Sequence, residues 1–159
     1  MKARLEGIQL RPARLDEAQS LTDLAWRSKA HWGYDAAFME LCRDELTVTG
    51  RHISGALCLV AEEADRALGF IATEISGPME AEISLLFVAS EALRRGIGRA
   101  LIEAASAHFA RHGFAALVTA ADPHAEAFYH GVGFATVGVE PSGSVPGRAL
   151  PIVRRELAP

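Results

Sequence analysis

The segment LRRGIGRA at residues 93–100 constrains this chain most, since an apolar strand-like run leads into it and an amphipathic helical pattern leads out. A strand that meets Gly96-Ile97-Gly98 and turns into a helix leaves the first N–H groups of that helix unpaired, where its dipole is positive. An anion is the natural occupant, and phosphate the natural anion. Arg94, Arg95 and Arg99 stand at a helix end where the dipole disfavours cations by roughly a few tenths of a kcal/mol each, a mismatch that a bound anion would reverse. The alternative is two glycines that merely permit a tight turn beside solvated arginines. Two phosphate-binding patterns are excluded. No Lys-Ser or Lys-Thr follows the second glycine as in a nucleotide-hydrolysing loop, and Leu101 stands where the dinucleotide fingerprint needs its third glycine.

Strand and helix signals alternate around this segment. Gly7 to Arg11 reads as a strand, and Pro12 closes it before a helix with Leu15, Ala18, Leu21, Leu24, Ala25 and Ser28 on one face, ending near His31. Asp35 can cap a second helix that buries Phe38, Met39, Leu41, Cys42 and Leu46. Strands at 56–61 and 67–75 flank the turn EEADR, and Glu80 to Val88 forms another, with Ile83, Leu85 and Phe87 on one face and Glu82, Ser84, Leu86 and Val88 on the other. The helix from Gly96 to about Arg111 carries Ile97, Ala100, Leu101, Ala104, Ala105 and Phe109 as its core stripe, and Gly113 ends it. Ala115 to Ala120 is a strand, and Asp122-Pro123 starts a short helix to His130. Strands at 134–140 and 148–157 follow, joined by the loop PSGSVPG. No repeat is present, and 159 residues suit one domain spanning 1–159.

Composition narrows the function. A net charge of −4 gives no basic field for nucleic acid. No apolar run approaches the roughly 20 residues needed to span a bilayer, and the beginning MKARLEGIQLRPA reads into a strand instead of a targeting peptide. Cys42 and Cys58 offer neither a CxxC pair nor a disulfide framework, which points to a reducing cytoplasm. His108 and His112 share a helix face but have no third ligand, so no metal is expected.

Taken together, EISLLFVASEALRRGIGRALIEAA and DPHAEAFYHGVGF resemble the cofactor-binding motifs of the GNAT (Gcn5-related) N-acetyltransferase superfamily, and the order of elements agrees over nearly the whole chain. Gly96 and Gly98 match the family turn, whereas Leu93 replaces its leading Gln or Arg. The resemblance implies an α/β (α+β) fold, a mixed and mostly antiparallel twisted sheet of six or seven strands flanked by about four helices. It implies acetyl-coenzyme A as cosubstrate, with the pyrophosphate held at the turn by Leu93, Arg94, Arg95, Gly96, Ile97, Gly98 and Arg99, largely through main-chain N–H groups. Leu86, Phe87 and Val88 would pair through their backbone with the pantetheine arm and polarise the thioester carbonyl. A homodimer is the usual assembly in this superfamily.

Amine acetylation needs a base, an oxyanion donor and an acid. Glu82 is the candidate base, matching in spacing the catalytic Glu of the histone-acetyltransferase branch, and a surface or ion-paired strand carboxylate is its other reading. Tyr129, seven residues after Asp122, matches the family tyrosine beside the cofactor sulfur and is the candidate acid; the alternative is a packed helix tyrosine. Asp122 replaces a family Asn and reads as a helix cap with a cofactor contact. Trp32 and Tyr34 are candidate acceptor contacts or core residues, and Arg148 with its loop either closes over an acceptor, one with a carboxylate among them, or belongs to a plain hairpin connection. The rival reading is an acyl-coenzyme A sensor that binds without turnover.

Overall fold

The computed structural model describes residues 5–158, so the reading of Met1 to Arg4 lies outside the described residues. Strand β1 (Ile8–Pro12) is followed by helices α1 (Ala18–Ala30), α2 (Ala36–Leu41), α3 (Arg43–Leu46) and α4 (Gly50–Ile53). Strands β2 (Leu57–Glu63), β3 (Arg66–Gly77) and β4 (Glu80–Val88) lead to the long helix α5 (Ile97–Arg111). The chain ends with β5 (Ala116–Ala120), α6 (Glu126–Gly131), β6 (Ala135–Pro141) and β7 (Ala149–Glu156). They form one open seven-stranded sheet in the order β1-β2-β3-β4-β5-β7-β6. Every pairing is antiparallel except β4 with β5.

Both faces of the sheet are covered over β2 to β4, while every residue of β6 at the far edge is exposed. On one, α5 presses Ile97, Leu101, Ile102 and Phe109 onto Ile71, Ile83 and Leu117. On the other, α1 to α3 bring Leu21, Leu24, Met39 and Leu46 against Val60, Phe70 and Leu85. Each large apolar side chain so enclosed contributes about 1.5–3 kcal/mol relative to exposure. The α5 stripe differs slightly from expectation: Ile102 is fully buried while Ala100 and Ala104 are half-buried.

Three further sequence readings are corrected. The single helix expected after Asp35 is broken at Cys42, which lies between α2 and α3, so Leu41 points outward at 51% exposure while Cys42 and Leu46 remain inside. Leu15 belongs to a short 3-10 turn ahead of α1 and is exposed. On β4 the register with β3 shifts, Ile83 opposing Thr73 and Leu85 opposing Ala72. Ser84 is the extra residue of this bulge, and an extra residue reverses side-chain alternation beyond it. Ile83, Leu86 and Val88 therefore pack on the α5 side and Leu85 and Phe87 on the α1 side, a partition that strict alternation misses.

Candidate active site

The β4–β5 pair is where the sheet opens. Their parallel pairing covers only Glu80 with Ala116, Ala81 with Leu117 and Glu82 with Val118. Past that point β5 stays with β7 while β4 continues to Val88, and the Thr119 hydroxyl donates to the Ile83 carbonyl at 2.9 Å where backbone pairing stops. Ala89 N–H donates to Leu68 O at 2.8 Å, so alternation along β4 turns the backbone groups of Phe87 toward β3 and those of Leu86 and Val88 toward the gap. Ser28 of α1 confirms the direction by donating to Val88 O at 2.9 Å. Of the expected backbone donors, Leu86 and Val88 face the opening, whereas Phe87 lines the cleft with its main chain committed to β3.

The gap opens into a cleft of about 790 Å³, within the range typical of small-molecule sites. One end is the glycine turn. Arg94 (φ 68) and Gly96 (φ 84) both take left-handed backbone, and Gly96 caps α5 without a side-chain acceptor. This conformation converges N–H groups on one point, and the α5 dipole adds positive potential there. Leu93, Arg94, Gly96, Ile97, Gly98 and Arg99 line this end. The arginine side chains are less uniformly devoted to an anion than their clustering suggests. Arg95 makes a two-pronged ion pair with Glu63 of β2 (3.0 and 2.7 Å), and Arg99 donates to the Gly131 carbonyl at 2.8 Å. Gly69 lets the helix start lie close, since a Cβ there would meet Phe87 O at 3.0 Å and Ile97 Cγ2 at 3.1 Å.

Tyr129 of α6 lines the same cleft, with its ring 5.1 Å from that of Phe134 in an edge contact. Its hydroxyl has no hydrogen-bond partner among the described residues. Burial pushes its pKa up, so at neutral pH it is a phenol able to donate. Glu82 sits at the fork of the splay, half-buried and outside the cleft lining. Burial first, then Glu74, Glu140 and Glu80, raise its pKa above the ordinary carboxylate value.

The other end of the cleft is organised by Asp122. Its carboxylate caps the turn after β5 by accepting from His124 N–H at 2.9 Å, the role expected of an Asp-Pro start. It also accepts from Lys29 Nζ (3.1 Å), Tyr34 Oη (3.0 Å) and Arg148 Nη2 (3.2 Å), which come from α1, the α1–α2 linker and the β6–β7 loop. Burial pushes the carboxyl up, but the His124 N–H, Lys29 and Tyr34 outweigh it and hold Asp122 below its ordinary value. Burial, then the Asp122 charge, push Tyr34 up to about 12. Arg148 donates to Tyr34 Oη at 2.6 Å and lies over the Tyr34 and Phe38 rings. Trp32, 45% exposed, stacks parallel on His124 at 5.1 Å.

The structure thus gathers Tyr34, Asp122 and Arg148 at one end, with Trp32 beside them, and the turn residues at the other. Sequence reading missed Ser28, Lys29 and His124. Ser28 and Lys29 belong to the last turn of an ordinary amphipathic helix, and their partners lie 60 and 93 residues away, so no local signal marks them. Two histidines considered as metal ligands, His108 and His112, meet in a tilted ring contact at 4.4 Å. Among the described residues no group of three or more His, Cys, Asp or Glu could hold a metal ion, and no helix is long and apolar enough to cross a membrane.

An open mixed sheet that splays beside a glycine turn at a helix start is the architecture that the GNAT resemblance implies. The chain belongs to the GNAT acetyltransferase family, whose acetyltransferase (GNAT) domain model matches residues 22–144. No curated protein matches it. Among solved structures it is similar to the PaiA N-acetyltransferase of Thermoplasma acidophilum, in complex with coenzyme A, at 20% identity and TM-score 0.74 over 94% of this chain and 98% of that one. A GCN5-related N-acetyltransferase from Kribbella flavida is similar at 25% identity and TM-score 0.69, covering 96% and 99%. The ribosomal-protein-S18-alanine N-acetyltransferase of Escherichia coli is similar at 18% identity and TM-score 0.70, covering 96% and 95%. Both the seven-stranded sheet and the superfamily agree with the sequence reading.

Proposed function

We propose that this chain transfers an acetyl group from acetyl-coenzyme A to a primary amine by direct attack in a ternary complex. The observation that carries this reading is the β4–β5 splay, which leaves backbone donors of Leu86 and Val88 facing a cleft that has an anion-binding turn at one end. Acetyl-coenzyme A supplies the activated thioester. The N–H groups from Arg94 to Arg99 bind its pyrophosphate, the expected Leu93 N–H being turned back to the Ser90 carbonyl, and a donor from Leu86 or Val88 stabilises negative charge on the carbonyl oxygen. The Tyr129 hydroxyl, unpartnered among the described residues and held neutral, gives its proton to the departing thiolate. Glu82, with its raised pKa, takes a proton from the incoming ammonium through water, because it stands at the fork and not on the cleft wall. That same displacement of Glu82 from the wall favours the second reading, an acyl-coenzyme A sensor without turnover.

Thermal unfolding with and without acetyl-coenzyme A, followed by thiol release against a panel of amines, separates these readings. At a hundredfold excess over Kd the cofactor adds about 2.7 kcal/mol to stability. Stabilisation with thiol release supports acetyl transfer. Stabilisation without release from any amine favours the sensor, and no stabilisation sinks both.

A further inference from the structure

The charges at the Asp122 end of the cleft do not balance. Lys29 and Arg148, with side chains only 9% and 16% exposed, share the single carboxylate of Asp122, itself 17% exposed. Asp122 is saturated by four donors, so it has little left for a substrate ammonium. Glu45, the other carboxylate on the cleft wall, is exposed and forms no ion pair among the described residues. Arg148 uses only Nη2, on Tyr34 and Asp122, and its Nη1 and Nε take no partner among the described residues. Lys29 spends one of three hydrogens on Asp122. Partly desolvated cations in excess of their counter-charge are costly unless an anion completes the set. The Tyr34 and Phe38 rings beneath the guanidinium, at 5.2 and 4.9 Å, hold it in place and bar solvent from one face.

Resting on the acetyl-transfer reading, we infer that the acceptor is an amine that also carries a carboxylate, as a free amino acid does, and that Arg148 and Lys29 bind that carboxylate. Asp122 and Tyr34 are positioning residues that hold the two cations over the cleft. The amine then lies on the side toward the β4–β5 splay. A carboxylate suits the site because charge-assisted hydrogen bonds to partly desolvated cations are the strong ones, and a neutral amide in its place would leave the excess positive charge uncompensated.

The test is calorimetric binding to the coenzyme A-loaded protein of N-acetylated amino acids with varied side chains, each beside its C-terminal carboxamide. Neither form has an ionisable amine, so the comparison isolates the carboxylate. The acid is expected to bind at least about tenfold tighter than the amide. That preference should vanish in Arg148→Gln and survive in part in Arg148→Lys, which keeps the charge. Unchanged stabilisation of both variants by coenzyme A shows that they are folded. Equal affinities, no binding of any acid, or an acid preference that persists in Arg148→Gln would overturn the inference. A chain that binds the acids but releases thiol with no amine sinks acetyl transfer alone; one that acetylates amines yet binds acid and amide alike sinks the carboxylate site alone.

Discussion

In the proposed mechanism Tyr129 and Glu82 divide the proton chemistry between a buried phenol and a half-buried carboxylate. Tyr129→Phe removes the donor and keeps the ring against Phe134, so kcat should fall about a hundredfold while the coenzyme A Kd stays put; stopped-flow turnover beside calorimetry checks both. Glu82 must be ionised to act, and its raised pKa places the acid limb of kcat/KM above the ordinary carboxylate range. Glu82→Gln should be slower and lose that limb, which a pH–rate profile reads. The same shift makes a stability prediction. A carboxyl whose folded pKa exceeds its unfolded value stabilises fully below the unfolded pKa, and that contribution is lost as pH rises through the folded value. Glu82→Gln should therefore raise Tm at pH 7 and give no gain below about pH 4. Tyr129 and Glu82 were both visible as residue types at family spacing. Their contrasting settings were not, because the enclosure of the Tyr129 ring and the approach of Glu74 and Glu140 to Glu82 depend on other strands, and only Glu80, two residues away on β4, is a local neighbour.

Elements meet at the cleft through Asp122, where the turn after β5, helix α1, its following linker and the β6–β7 loop converge. Asp122→Ala leaves Lys29 and Arg148 without their counter-charge and should cost about 3 kcal/mol. Because the folded pKa of Asp122 is depressed, its contribution is present above the unfolded value and lost as pH falls through the folded one. The Tm gap between wild type and variant should thus shrink on acidification, as a denaturation series from pH 7 to pH 3 would show. The Asp-Pro pair announced its helix start, and the structure keeps that role. The clamp on three other segments depended on long-range approach. The β4 bulge is similar: one inserted residue, Ser84, redistributes Leu85, Leu86, Phe87 and Val88 between faces, and nothing local in EISLLFV specifies where alternation slips.

At the scale of the whole molecule, two apolar cores share one sheet, and the cleft is the seam where β4 and β5 part. Shared strands should make the cores unfold together. Phe109→Ala, in the α5 core, should cost about 3–5 kcal/mol. Both tryptophans, Trp26 and Trp32, lie by α1 or just after it, so fluorescence reports the opposite side of the sheet. Its denaturation midpoint should drop together with that of far-ultraviolet circular dichroism, and separated midpoints would refute this coupling. Sequence by itself determined the alternation of strands and helices, the amphipathic face of α5, the glycine turn at its start and the identity of Tyr129 as a tyrosine at the right interval. These are local properties, set by periodicity, backbone freedom and capping within a few residues. Tertiary structure alone decided that β4 and β5 separate after Glu82, that Arg95 and Arg99 turn to protein partners, and that Lys29 and Arg148 meet over one carboxylate. Those outcomes depend on which distant groups pack within hydrogen-bonding reach, and burial then fixes their charge and pKa.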